Sequence, residues 1–232
     1  RRQRQMCIRD RERLDAARNR DRRLEEWNVE IDRRRVTLDA IGLDLQTARE
    51  EAAVTMCTSL SHHLAHLKMP KAYLEVVWEP AERPEASGPS RPGLMFTANA
   101  GLSPQPMAKV ASGGERSRVM LALKAALSRH LAVPTLILDE IDAGVSGDVA
   151  ARMADLMAEI AARSQVITIS HLPQVAGRAD HHMKVSKSED DGRVSTHLRR
   201  LDEPGRVEEL AAMLSGSEIG EAARQQARSL MG

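Results

Sequence analysis

Three short segments of the chain carry groups suited to phosphate chemistry. In Thr135-Leu136-Ile137-Leu138-Asp139-Glu140 an apolar run ends in two adjacent carboxylates. The run reads as a strand, and its C-terminal end is where open α/β sheets place their ligands. Successive strand residues face opposite ways, so the two acids would have different tasks. Asp139 suits Mg²⁺ held through its water shell, because magnesium takes few carboxylates alongside phosphate oxygens. Glu140 suits the orientation and deprotonation of a water. Read more plainly, the pair is an Asp that caps the following turn and an exposed Glu.

Ser112-Gly113-Gly114-Glu115 opens a helix, and a Ser followed three residues later by Glu is a capping box. The two glycines point further. Each costs a helix interior roughly 1 kcal/mol, yet each leaves its backbone N–H bare for an approaching anion. A Ser hydroxyl and two Gly N–H groups on a positive helix end suit a terminal phosphate, with Arg116 and Arg118 adding charge nearby. His171 directly follows the apolar run Val166 to Ser170 and emerges at the same sheet edge as the two acids. A neutral imidazole there could hydrogen-bond a γ-phosphate or its attacking water; a lone histidine after a strand is otherwise structural. Between the strands, Asp142-Ala143-Gly144-Val145-Ser146-Gly147 is a loop leading into a helix, with Ser146 placed as N-cap. Its plainer role is a turn.

These residues need an α/β scaffold. From about residue 10 to Lys68 there is no proline and one glycine, Gly42. Leu24, Trp27, Ile31, Leu38, Ile41, Leu45, Ala48 and Ala52 fit a heptad seam with Arg34 as its one charged member, which predicts a coiled-coil helix. The register then slips to Met56, Leu60, Leu64 and Leu67, as where an arm enters a globular head. Pro70 stops the helix. Tyr73 to Trp78 reads as a strand, residues 80–92 as an exposed Pro/Gly/Ser-rich loop, and Gly93 to Asn99 as a second strand. A helix follows Ser112, with Val119, Met120, Leu123, Ala126 and Leu127 on one face. Strand Thr135 to Asp139, a helix from about Asp148 to Arg163 and strand Val166 to Ser170 form a parallel crossover, and the strands' continuous apolar character predicts burial on both faces. A hairpin across Asp190-Asp191-Gly192 and two short helices close the chain. The fold class is α/β, with an arm over 1–68 and a globular lobe over 69–232.

Composition narrows the function further. A chain of 232 residues makes one to two domains, 42% hydrophobic and 29% charged, with no apolar run long enough for a membrane span. Tyr73, Phe96, Trp27 and Trp78 are too few and scattered to stack single-stranded nucleic acid. Cys7 and Cys57 form neither a disulfide framework nor a CxxC pair, which fits a reducing compartment. The net charge of +1 hides a basic start, with ten arginines and four carboxylates in residues 1–23. That start is a solvated face or, more sharply, a phosphate-binding patch. The chain opens Arg1-Arg2-Gln3 without an initiator Met, so it is expected to belong to a longer protein. His62 and His66, one helical turn apart, could hold zinc but lack an obvious third ligand. No Gly-x-Ser-x-Gly or Gly-x-Gly-x-x-Gly pattern supports a serine hydrolase or a dinucleotide enzyme.

The order Ser-Gly-Gly-Glu, helix, apolar strand ending Asp-Glu, loop, helix, strand, His resembles the C-terminal lobe of the ABC-type ATPase head of structural-maintenance-of-chromosomes (SMC) proteins and their relatives. The match is carried by Ala111 to Arg118 (ASGGERSR), Leu136 to Gly147 (LILDEIDAGVSG) and Ile169 to Ala179 (ISHLPQVAGRA), and is strong over about residues 107–188. Within that group the segments look most like bacterial proteins of DNA double-strand break repair that bind or tether DNA in an ATP-dependent way. The resemblance implies roles. Ser112, Gly113, Gly114 and Glu115 match the signature that contacts the γ-phosphate of ATP on a second head. Asp139 matches the Walker B magnesium residue, Glu140 the catalytic base, Asp142, Gly144 and Ser146 the D-loop across the dimer interface, and His171 the switch histidine. It also implies ATP and Mg²⁺ as cofactors, a homodimer through heads or coiled coil, double-stranded DNA as partner, no membrane, and a cytoplasmic, nucleoid-associated setting.

One departure limits the match. A phosphate loop needs Gly-x-x-x-x-Gly-Lys, and this sequence has no Gly-Lys pair. In the family that element lies in an N-terminal lobe, which becomes the expected partner; this chain alone is expected to be inactive. The rival expectations are a non-enzymatic coiled-coil scaffold and a plain DNA-binding arm.

Overall fold

In the computed structural model the described residues are 2–110, 112–128, 130–131, 133–190, 193–216 and 218–232, with side chains described from 19 onward except at 84, 190 and 193. Ala111, Cys7, residues 1–18 of the basic start over 1–23, and the Asp191-Gly192 turn therefore lie outside the described residues or side chains. The chain divides into two compact units, residues 1–52 with 78–92, and residues 53–77 with 93–232.

The first unit is built on α1, the 65-residue helix Arg2–His66. Its expected seam residues Leu24, Trp27, Ile31, Leu38, Ile41 and Leu45 are exposed, and Arg34 pairs with Glu30 one turn away at 2.7 Å. Local pairs of this kind add only tenths of a kcal/mol each. Residues 80–92, expected as a loop, are instead the outer part of a hairpin between β1 (Tyr73–Glu85) and β2 (Gly88–Thr97). The prolines survive because a hairpin leaves alternate N–H groups unbonded. The hairpin end lies on α1: Ser90 Oγ donates to Gln46 Oε1, and Gly88, at φ 115, brings its backbone against Leu45 and Arg49.

The second unit gathers the last turns of α1, a two-residue strand β3 (Gln105–Pro106) beside β2, and α2 (Gly113–Ser128). Next come β4 (Thr135–Asp139), α3 (Gly147–Ala161), β5 (Gln165–Ile169) and α4 (Pro173–Gly177). The hairpin β6 (Met183–Asp190) and β7 (Arg193–Arg200) and the helices α5 (Glu203–Ser215) and α6 (Glu221–Met231) follow. Leu60 and Leu64 of α1 and Leu67 just beyond it are fully buried with Val119 and Leu121 of α2, Leu138 of β4 and Met153 of α3. β4 and β5 pair in parallel, joined through α3, from Thr135 opposite Gln165 to Asp139 opposite Ile169. Burial on both faces does not hold. Leu138 faces the core, whereas Ile137, Ile167 and Ile169 are 62%, 46% and 53% exposed. The apolar runs are as expected; the second cover of the sheet is not supplied by the described residues. Among them no helix is long and apolar enough to cross a membrane.

Candidate functional site

The parallel register brings two strand ends together. Asp139 closes β4 opposite Ile169, the Glu140 N–H donates to the Ile169 carbonyl at 3.1 Å, and His171 stands two residues beyond that carbonyl. Asp139, Glu140 and His171 are all exposed. Glu140 holds φ 47, a left-handed conformation that costs a residue with a Cβ roughly 1 kcal/mol or more. The Ala143 N–H closes a turn on the Glu140 carbonyl at 3.0 Å. Such strain persists where the surroundings over-determine the backbone, and it gathers at functional sites.

A second constellation forms where α2 starts. The Glu115 N–H donates to Ser112 Oγ at 3.4 Å, the backbone half of the expected capping box. Ser112 and Gly113 are exposed, and a Cβ on Gly113 would meet nothing within 4 Å, so the helix start is open to a ligand. Gly114 is buried the other way. A Cβ there would lie 2.8 Å from the Gly144 carbonyl oxygen, so the turn after β4 packs directly on the start of α2. Gly144 has φ 76, which favours glycine at that contact.

The starts of α2 and α3 are both anchored near the end of α1. Arg118 donates from Nε to the Gly114 carbonyl at 3.1 Å and from Nη1 to the Leu67 carbonyl at 3.2 Å. Arg152 of α3 donates to the His66 carbonyl at 3.4 Å and to Asp148 at 3.2 Å, while Lys68 pairs with Asp148 at 3.0 Å. The hydrogen bonds from Lys68 and then Arg152 hold the Asp148 carboxyl below its ordinary range. The carbonyls that a helix end leaves unpaired are thus met by two arginines.

No family model matches the chain. Comparison with individual proteins does find relatives. The chain is 38% identical over 226 residues to the DNA repair protein RecN of Halalkalibacterium halodurans, covering 95% of this chain and 40% of that protein. It is 40% identical over 203 residues to the DNA repair protein RecN of Deinococcus radiodurans, covering 88% and 36%. The chain is a relative of RecN, matching its C-terminal part. It spans about two fifths of the length of these curated RecN relatives. The fold agrees: the Smc head domain with a coiled coil and joint derived from Pyrococcus yayanosii superposes with a TM-score of 0.54 at 25% identity, covering 72% of this chain and 29% of that one. The architecture is that of the C-terminal lobe of an SMC-type head, with a long N-terminal helix and a parallel sheet.

In this RecN relative the expected site residues fall into three groups. Asp139, Glu140 and His171 share one sheet edge. Ser112, Gly113 and Glu115 line the start of α2, and Gly114 with Gly144 joins that start to the turn after β4. Ser146 is exposed at the N-cap of α3, but its side chain makes no capping hydrogen bond. Asp142 differs from the rest. It is 0% exposed, and its Oδ2 accepts from the Ser170 hydroxyl inside the same chain. Arg118, read as charge near a phosphate, spends its guanidinium on two carbonyls; its place four residues after Gly114 was the available signal. Arg152 and Ser170 were missed, and no spacing marks them. His62 and His66 gain no third ligand, since no group of three or more potential ligands lies among the described residues.

Proposed function

We propose that the chain is one lobe of a RecN-like ATPase head that acts in DNA double-strand break repair, working with an N-terminal lobe that carries the Walker A loop. The observation that carries this reading is the shared sheet edge, where a left-handed backbone presents Glu140 between Asp139 and the start of the His171 loop. Asp139, exposed at a strand end, fits a magnesium ion bound chiefly by water and phosphate oxygens. When bound, that ion would offset charge on the transferred phosphate. Glu140 then accepts the proton of the attacking water and His171 hydrogen-bonds the γ-phosphate side of the site. Ser112 and the Gly113 N–H at the open start of α2 hold the γ-phosphate of ATP on a second head.

The partners follow from what is left uncovered. Parallel sheets are ordinarily covered on both faces, and Ile137, Ile167 and Ile169 offer an apolar surface to an N-terminal lobe. The exposed seam from Leu24 to Leu45 suits a coiled-coil partner helix, and a homodimer would join through heads, coil or both. Double-stranded DNA is the substrate on which ATP-dependent binding or tethering acts. Glu140→Gln in the chain assembled with an N-terminal head lobe tests the base. ATP binding is retained and turnover falls by roughly 10² or more, as loss of a general base predicts. Unchanged turnover would remove Glu140 from the role and leave the base to another group.

A further inference from the structure

We propose that Asp142 and Ser170 are a positioning pair that sets Glu140 and His171 relative to each other. The proposal rests on the reading of Glu140 as the base and adds two residues that act through the groups they hold. Past the last ladder pair, a single backbone hydrogen bond, Glu140 N–H to the Ile169 carbonyl at 3.1 Å, joins the two chain segments. The segments then part, one into the turn over residues 140–145, the other toward Leu172 and Pro173. The side-chain tie lies just beyond the parting. Ser170 Oγ donates to Asp142 Oδ2 and accepts from the Leu172 N–H at 2.9 Å. Ser170 immediately precedes His171, and Asp142 sits two residues after Glu140 in a turn closed by Ala143 N–H to Glu140 O and Val145 N–H to Asp142 O.

Stability alone does not account for this carboxylate. Asp142 is 0% exposed, and its Oδ1 is buried with no hydrogen-bond partner among the described residues. A buried carboxylate held by one neutral hydroxyl is a poor stabiliser, because desolvation outweighs what one hydrogen bond returns. Its contribution is geometric. It keeps the strained turn at Glu140 and the segment leading to His171 from drifting apart, and hydrolysis is sensitive to such drift: a misplacement of about 1 Å can cost roughly 10²-fold.

The test uses the chain assembled with an N-terminal head lobe. Asp142→Ala and Ser170→Ala are each expected to lower kcat for ATP by roughly tenfold or more, with KM within about twofold. The double variant is expected to be no worse than the more impaired single, since both remove one tie. Asp142→Asn, which keeps an acceptor oxygen, and Ser170→Thr, which keeps the hydroxyl, restore most of the rate. Turnover at the unmodified rate, losses that multiply in the double variant, or losses that only follow the fraction unfolded would overturn the pairing. If Asp142→Ala does not fold, Ser170→Ala, which removes one oxygen, decides by the same criteria. If the unmodified assembly has no turnover, the ATPase reading falls, and amide hydrogen exchange of Ser170→Ala decides the pair instead. Protection lost at both Leu172 and Ala143 supports the tie, whereas loss at Leu172 alone overturns it.

Discussion

A methyl group added at Gly114 and, separately, at Gly113 distinguishes packing from ligand access at the start of α2. On Gly114 it would sit 2.8 Å from the Gly144 carbonyl oxygen, 3.5 Å from that carbon and 3.6 Å from Val145 Cγ1. Backbone lies on both sides of the contact, so no flexible side chain can yield. Overpacking of this kind costs about 1–3 kcal/mol, and the better helix propensity of alanine returns at most ~1 kcal/mol. From the middle of that range, about 2 kcal/mol, the net loss is about 1–2 kcal/mol, a Tm lower by roughly 2–8 °C for a chain of this size. At Gly113 a Cβ meets nothing within 4 Å and the backbone has no positive φ. There alanine is neutral or stabilising by up to ~1 kcal/mol. It nevertheless intrudes where a phosphate would approach the N–H. Thermal denaturation followed by circular dichroism, with ATP-dependent head pairing of the chain assembled with an N-terminal head lobe followed by light scattering, reads both effects. Gly114→Ala should lower Tm, while Gly113→Ala should keep or raise Tm and lose pairing. An unchanged Tm for Gly114→Ala would refute the packing argument; normal pairing by Gly113→Ala would refute the ligand argument.

Arg118→Met removes donors from the Gly114 and Leu67 carbonyls and should destabilise by about 2–3 kcal/mol in urea denaturation, from two charged hydrogen bonds at a half-buried position. Arg118→Lys should recover under half of that, because an ammonium lacks the planar fork, and full recovery would contradict the geometry. Burial first, then the charges of Arg206 and Lys184, push the His182 imidazole below 6.5, with Glu209 opposing. The unfolded chain therefore binds this proton more readily, so stability falls as pH drops through about 6.5 toward the folded-state value and levels off below it. His182→Gln should flatten that part of a urea-midpoint profile against pH; an identical slope would exclude His182 as its source. Ile137→Ser should change stability by under ~0.5 kcal/mol, because the side chain is already 62% exposed. It should weaken association with an N-terminal head lobe by roughly tenfold or more, read by titration calorimetry, and undiminished affinity would place that lobe elsewhere.

Much of this arrangement was legible because local signals and fold agree. The apolar run ending in Asp139 and Glu140, the Ser112 to Glu115 helix start and the strand before His171 each announce themselves within a few residues, and the parallel register follows from α3 between the strands. Other features needed three dimensions. Residues 80–92 read as a loop because four prolines in thirteen residues outweigh any strand pattern, yet a hairpin accepts proline wherever an N–H points outward. A continuous apolar run signals two covered faces without saying which chain supplies the cover, so the exposure of Ile137, Ile167 and Ile169 was not foreseen. Asp142 lies in a polar turn whose composition suggests solvent, and nothing in its spacing from Ser170 shows that the hydroxyl turns it inward.

ATP hydrolysis by the chain alone, and by the chain mixed with an N-terminal head lobe carrying a Walker A loop, with and without double-stranded DNA, is the most direct measurement. A head divided between two lobes predicts turnover only in the mixture, abolished by Glu140→Gln. No turnover in a mixture shown to be folded and associated would contradict it, leaving Asp139 and Glu140 as structural residues of a coiled-coil scaffold.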